Sequence, residues 1–181
     1  MKPFYLTLLF ISASFICNAQ FKVGVGYGQP DITAVINGFA STQVADGVVF
    51  SVRRDFQISQ SKFYIDPAVD IGIYSSEIRR EGLELLIATA NISSLIGYRF
   101  NLSPKVSFRP WVGPSLVWVN ALESEVLGNQ FIVNEAVLGL YFGEYIEIKL
   151  SDKIDILLSP VNLVLGENGY FEGKSMLFFR F

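Results

Sequence analysis

Phe63-Tyr-Ile-Asp-Pro-Ala-Val-Asp-Ile-Gly-Ile-Tyr74 decides the fold class. Phe63, Ile65, Pro67, Val69, Ile71 and Ile73 are apolar, whereas Tyr64, Asp66, Ala68, Asp70, Gly72 and Tyr74 include the small and charged residues. A helix would group apolar residues every three or four positions. A period of two marks a strand whose faces meet different surroundings.

The same period recurs on both sides of this stretch. Phe21, Val23, Val25 and Tyr27 alternate with Lys22, Gly24, Gly26 and Gly28, and Val48, Phe50 and Val52 alternate with Val49, Ser51 and Arg53. Further strands are expected over Ala90–Phe100, Val106–Val119, Phe131–Leu150, Ile154–Leu158 and Phe171–Phe181. The connections alternate in length. Short ones lie at 57–61, 101–104 and 151–153, and longer polar ones at 29–45, 75–85, 120–130 and 166–171. Tight turns at one rim and larger loops at the other predict an all-β, eight-stranded antiparallel up-and-down transmembrane β-barrel. Pro67, Pro110, Pro114 and Pro160 fall inside these strands and are expected at bulges or rims, because proline gives no ladder donor.

Side-chain size says which face looks outward. An eight-stranded barrel has an interior just wide enough for side chains to fill it. The face opposite the bulky apolar one carries Gly24, Gly26, Gly28, Ala68, Gly72, Ser93, Gly97, Ser107, Gly113, Gly139 and Gly143. A water-facing surface would hold lysine and glutamate at such positions. Small residues there suit a narrow interior, with the bulky face turned to lipid. Arg53, Asp66, Asp70, Arg99, Arg109, Glu147, Lys149, Lys174 and Arg180 share that face, with both signs present. They are expected to form an ion-pair network filling the lumen, since an isolated buried charge is very costly. Glu144 breaks the pattern by pointing at lipid, and a bulge near Gly143 would turn it inward. Phe56, Phe63, Tyr98, Phe100, Phe108, Phe179 and Phe181 cluster near the short turns, with Trp118, Phe131 and Phe171 toward the loops. This distribution is expected of two interfacial girdles.

Residues 1–19 read as a cleaved signal peptide: Lys2 is a positive start, Phe4–Ile16 an apolar run, and Cys17-Asn18-Ala19 a cut site before Gln20. Bulky Phe15-Ile16 argue against acylation of Cys17. The remaining domain, 20–181, has no cysteine and so no disulfide framework. Losing Lys2 from the 14 basic residues, against 17 acidic, takes the net charge from −3 to −4, which disfavours nucleic acid as a partner. The mean hydropathy of +0.40 is high for an exported domain. No stretch of the domain has 18 consecutive apolar residues, which excludes a helical membrane protein.

There is no histidine, hence no usual general base, metal ligand or triad partner. Asp66 and Asp70 share a strand face but lie about 13 Å apart, too far to act on one bond. Gly24-x-Gly26-x-Gly28 lacks the helix that a nucleotide-binding glycine pattern requires. No catalytic, cofactor or metal site is expected, and the chain is read as a non-enzyme.

The terminal Met176-Leu-Phe-Phe-Arg-Phe181 and the segment Tyr145-Ile-Glu-Ile-Lys-Leu-Ser-Asp-Lys153 resemble the outer-membrane β-barrel family of diderm bacteria, the porin-family or PorT-like proteins. The architecture is similar to OmpA/OmpX-type barrels. Phe178 departs from that family's frequent glycine, and Phe142-Gly143-Glu144 from a glycine-rich stretch. The resemblance implies that Leu177, Phe179 and Phe181 form a C-terminal signal read by the barrel assembly machinery. It also implies residence in the cell outer membrane, with lipid and an envelope or extracellular molecule as partners. A structural or interaction role is expected. The alternatives are a minor channel and a soluble lipocalin-like carrier, the latter needing the apolar face inside.

Overall fold

The computed structural model describes residues 20–36, 39–78, 83–123, 132–151 and 154–181. The strands are β1 (Gln20–Ile36), β2 (Phe39–Val44), β3 (Asp46–Gln57), β4 (Phe63–Ile78), β5 (Leu83–Tyr98), β6 (Phe100–Asn101), β7 (Val106–Glu123), β8 (Ile132–Lys149), β9 (Asp155–Gly166) and β10 (Phe171–Arg180). Eight of them form the barrel wall in the order β1-β3-β4-β5-β7-β8-β9-β10, every neighbour antiparallel. β10 closes onto β1, in register from Lys22↔Arg180 to Asp31↔Phe171. Closure pairs both edges, which a sheet in hydrocarbon requires. The expected fold is the observed one.

Each tight turn carries a serine that caps the returning strand. Ser61 accepts from Phe63 N–H at 3.1 Å, Ser103 from Val106 N–H at 3.0 Å, and Ser151 from Ile154 N–H at 3.1 Å. A short hydroxyl side chain satisfies a backbone donor within a few residues, which is why serine recurs in these turns. The opposite rim differs from the sequence reading. Much of 29–45 and 75–85 is strand and not loop, as is 120–123, while the rest of the loop expected at 120–130 lies outside the described residues. β1 and β2 pair up to Ile36↔Phe39, β4 and β5 up to Ile78↔Leu83, and β7 and β8 up to Leu122↔Ile132. Backbone pairing continues where the side chains turn polar, because the ladder needs no apolar face.

All four prolines point outward from the wall and sit where a ladder lapses. Opposite Arg54 and Asp55, Pro67 falls in a break between Arg53↔Ala68 and Phe56↔Ile65 that leaves the register unchanged. Pro114 lies in a similar break between Ser93↔Ser115 and Ile96↔Val112, and Pro110 in one between Gly97↔Trp111 and Phe100↔Phe108. Only Pro160 marks a bulge. The extra residue is in β9, where Pro160 and Val161 both face outward and the register to β8 and β10 shifts. The register between β8 and β9 does shift between Gly143 and Ile146, but the extra residue belongs to β9, so alternation along β8 is unbroken and Glu144 stays on the outer face, half-buried.

The bulge orphans backbone carbonyls, and polar side chains satisfy them. Ser159 Oγ donates to Glu144 O at 2.5 Å and Ser175 Oγ to Pro160 O at 2.6 Å. Asn162 Nδ2 donates to Ser159 O at 3.1 Å and to Lys174 O at 3.2 Å. Asn162→Leu strands two buried acceptors and is expected to lower stability by about 1–3 kcal/mol. Urea unfolding of the refolded variant measures it, and an unchanged midpoint would show that the bulge needs no cap.

The outer wall is apolar: Val25, Phe50, Ile71, Ile92, Leu138 and Val161 are among its exposed residues. Near the tight turns an aromatic row runs Phe63–Tyr98–Phe100–Phe108, with ring centroids 4.8, 4.7 and 6.3 Å apart. Arg54 lies 4.9 Å from the rings of both Phe21 and Phe56. Phe131 lies outside the described residues. On the inner face glycines give room to rings. A side chain at Gly24 would collide with Phe178, at Gly72 with Tyr74, and at Gly97 with Tyr64. The lumen holds more apolar bulk than the small-residue pattern implied. Val49, Ile87, Val117, Val119, Val137 and Val164 fill its loop-side half.

Candidate functional site

Most of the charged residues occupy the other half of the lumen, toward the tight turns, and Lys174 and Glu172 carry the network on toward the loop side. Alternation fixes who enters it: an outward neighbour on each side forces the residue between them inward. The network has two tiers.

In the inner tier, Arg53 is 1 % exposed. Its Nη1 donates to Tyr145 Oη and its Nη2 to Tyr141 Oη, each at 2.6 Å, with Asp70 at 3.5 Å. Tyr141 donates onward to Asp70 at 2.8 Å and Tyr145 to Asp66 at 3.0 Å. Each phenol thus links a guanidinium to a carboxylate. The Arg53 guanidinium also lies 5.0 Å from the Trp111 ring and 4.9 Å from Phe178, so aromatic faces supply what water would. Lys174 bridges Asp70 at 3.2 Å and Glu172 at 3.1 Å, and Glu172 accepts from Tyr74 and from Tyr170 at 2.9 Å.

The outer tier converges on Glu147. Arg99 reaches it at 2.5 and 2.7 Å, Arg109 at 2.9 Å and Arg180 at 2.5 Å. Arg109 also holds Asp55 at 2.9 Å, and Arg180 pairs with Asp155 and with Asp55 at 3.4 Å. Lys22 joins Asp55 at 2.7 Å and Asp66 at 2.5 Å. Among the described residues the ion pairs engage six cations (Lys22, Arg53, Arg99, Arg109, Lys174, Arg180) and six carboxylates (Asp55, Asp66, Asp70, Glu147, Asp155, Glu172). Balance of sign is what allows so many charges into one interior.

Eight of the nine charges expected in the lumen are brought together here. Lys149 is not: it is the last residue of β8, exposed at the tight-turn rim where the wall no longer encloses it. Asp66 and Asp70 hold different cations in different tiers and do not form a carboxylate pair. Lys22, Asp55, Asp155 and Glu172 belong to the network although the sequence reading left them out. The signal was available, since Lys22 lies between outward Phe21 and Val23, and Asp155 between Ile154 and Ile156. Leu177, Phe179 and Phe181 lie along the outer face of the closing strand and its end, Phe179 40 % and Phe181 65 % exposed. No group of three or more potential metal ligands occurs among the described residues.

A scan against models of protein families finds no match, and neither does a search of curated proteins. Solved structures do match. Ail, the attachment invasion locus protein of Yersinia pestis, solved with the heparin analogue sucrose octasulfate, superposes with a TM-score of 0.55 at 14% identity, over 90% of this chain and 99% of Ail. Neisserial surface protein A superposes with a TM-score of 0.55 at 13% identity, over 90% of this chain and 95% of that one. At such identities the likeness is one of fold: the chain has the eight-stranded barrel architecture of outer-membrane proteins of the OmpA/OmpX type.

Proposed function

We propose that this chain is an outer-membrane barrel, delivered by a cleaved signal peptide, that works as a structural or recognition element rather than as a channel or an enzyme. The observation carrying this reading is the lumen: a charge-balanced network on one side and packed valines and isoleucine on the other. An ion crossing it would have to break buried pairs and then dehydrate among alkyl side chains. The lumen also offers no histidine beside a nucleophile, and its charged groups are already engaged with one another.

Recognition is then left to the rim where β1–β2, β4–β5 and β7–β8 extend past the last inter-hairpin pairs. Leu177, Phe179 and Phe181, apolar and outward on the closing strand, suit a signal for the barrel assembly machinery. Reconstitution into planar bilayers tests the closed lumen. Baseline current without steady openings is expected, and reproducible single-channel steps would overturn the reading.

A further inference from the structure

Beside the β9 bulge the outer wall carries a hollow of about 460 Å³ with an almost wholly apolar lining. It follows one row of cross-strand partners, Ile146–Leu158–Leu177–Val25, from β8 across β9 and β10 to β1. Three strand spacings make that row about 14 Å long. Pro160 of the bulge flanks it, where the extra residue bends the strand and interrupts the even pleat of the wall. The row begins at the aromatic girdle, because Ile146 pairs with Phe108.

Glu144 stands one outward position from Ile146, opposite the bulge. Phe142 and Ile146 along β8, Pro110 on β7 and the Pro160–Val161 bulge on β9 give it apolar neighbours on every side. Among the described residues its carboxylate accepts no hydrogen bond and meets no cation. β8 continues five residues beyond it to Lys149, about 17 Å at the usual strand rise, so the charges of the tight-turn rim are out of reach. A carboxylate facing hydrocarbon is costly unless a cation meets it.

We propose that this place binds an amine-bearing phospholipid, its ammonium on Glu144 and one acyl chain along the Ile146–Val25 hollow. The site presupposes the lipid-facing wall proposed above. Charge selects the occupant: an ammonium headgroup donates charge-assisted hydrogen bonds to a carboxylate, and a purely anionic headgroup is repelled by it. Glu144 lies one outward position from the girdle, where headgroups begin, and the chain then runs along the apolar row. A second copy fits less well. Among the described residues the wall has one outward cation, Arg54, and the rings of Phe21 and Phe56 already hold it.

Native mass spectrometry of the protein refolded in an uncharged detergent tests the site, with phosphatidylethanolamine and phosphatidylglycerol as competing probes. The parent is expected to retain the ethanolamine lipid about tenfold better, the low end for a hydrogen bond to a charged group. Glu144→Gln should abolish that preference and Glu144→Lys reverse it. Neither change disturbs a contact of the folded chain, since the carboxylate makes none within it. Leu158→Trp, which fills the hollow, should weaken retention of both lipids. A preference that survives Glu144→Gln, or retention untouched by Leu158→Trp, would overturn the site. A dimer in place of a lipid adduct would overturn it in favour of a second copy. Equal retention of both lipids by the parent overturns the site alone, whereas retention of neither overturns the lipid-facing wall with it.

Discussion

Replacing Glu147 with leucine is expected to destabilise the folded barrel by about 3 kcal/mol, toward the low end for breaking a buried charge network from one side. Three guanidiniums share this carboxylate. Arg109 and Arg180 keep second partners in Asp55 and Asp155, and Arg99 is partly solvated, which holds the cost below the upper limit. Glu147→Gln keeps the shape and one acceptor oxygen but loses the charge, so it should cost less, about 1–2 kcal/mol. Reversible urea unfolding in lipid vesicles reads both, with Trp111 inside the lumen and Trp118 on the wall as fluorophores. A Glu147→Leu effect under about 1 kcal/mol would mean that the arginines reach water, and that the lumen is wetter than its burial implies.

The second large effect tests the outer wall. Ile71 is 51% exposed near the middle of β4, paired with Phe50 and Ala90 on its two sides. If lipid covers this face, Ile71→Arg should cost about 2–4 kcal/mol, the range for arginine at a bilayer midplane. Leu102→Arg is the control. Leu102 is 67% exposed in a tight turn beyond the wall, and arginine there should cost about 0–1 kcal/mol. Equal small effects at both sites, measured by unfolding in vesicles, would mean that water and not lipid meets the wall. A soluble carrier would give that result.

These experiments concern faces that were legible in the sequence. Phe63–Tyr74 sets one residue out and the next in, and with a period of two no other assignment of its side chains is open to it. The bulky outward set, the glycines and the charges of mixed sign followed from that rule, as did the tight turns at 57–61, 101–104 and 151–153. Lys22, Asp55, Asp155 and Glu172 were within reach of the same rule, because their strand neighbours on each side point outward.

Other features required the third dimension. The position of the bulge depends on how β9 registers against two neighbours at once, so Glu144 could not be turned inward by reasoning along β8 alone. The extent of the hairpins beyond the wall is set by backbone pairing, to which side-chain periodicity is indifferent. Above all, pairing between charges is long-range. Glu147 meets Arg109 of β7, Arg180 of β10 and Arg99 between β5 and β6, and Tyr145 meets Arg53 across 92 residues of chain. Alternation along a strand determines which residues enter the lumen; only closure of β10 onto β1 determines which of them touch there.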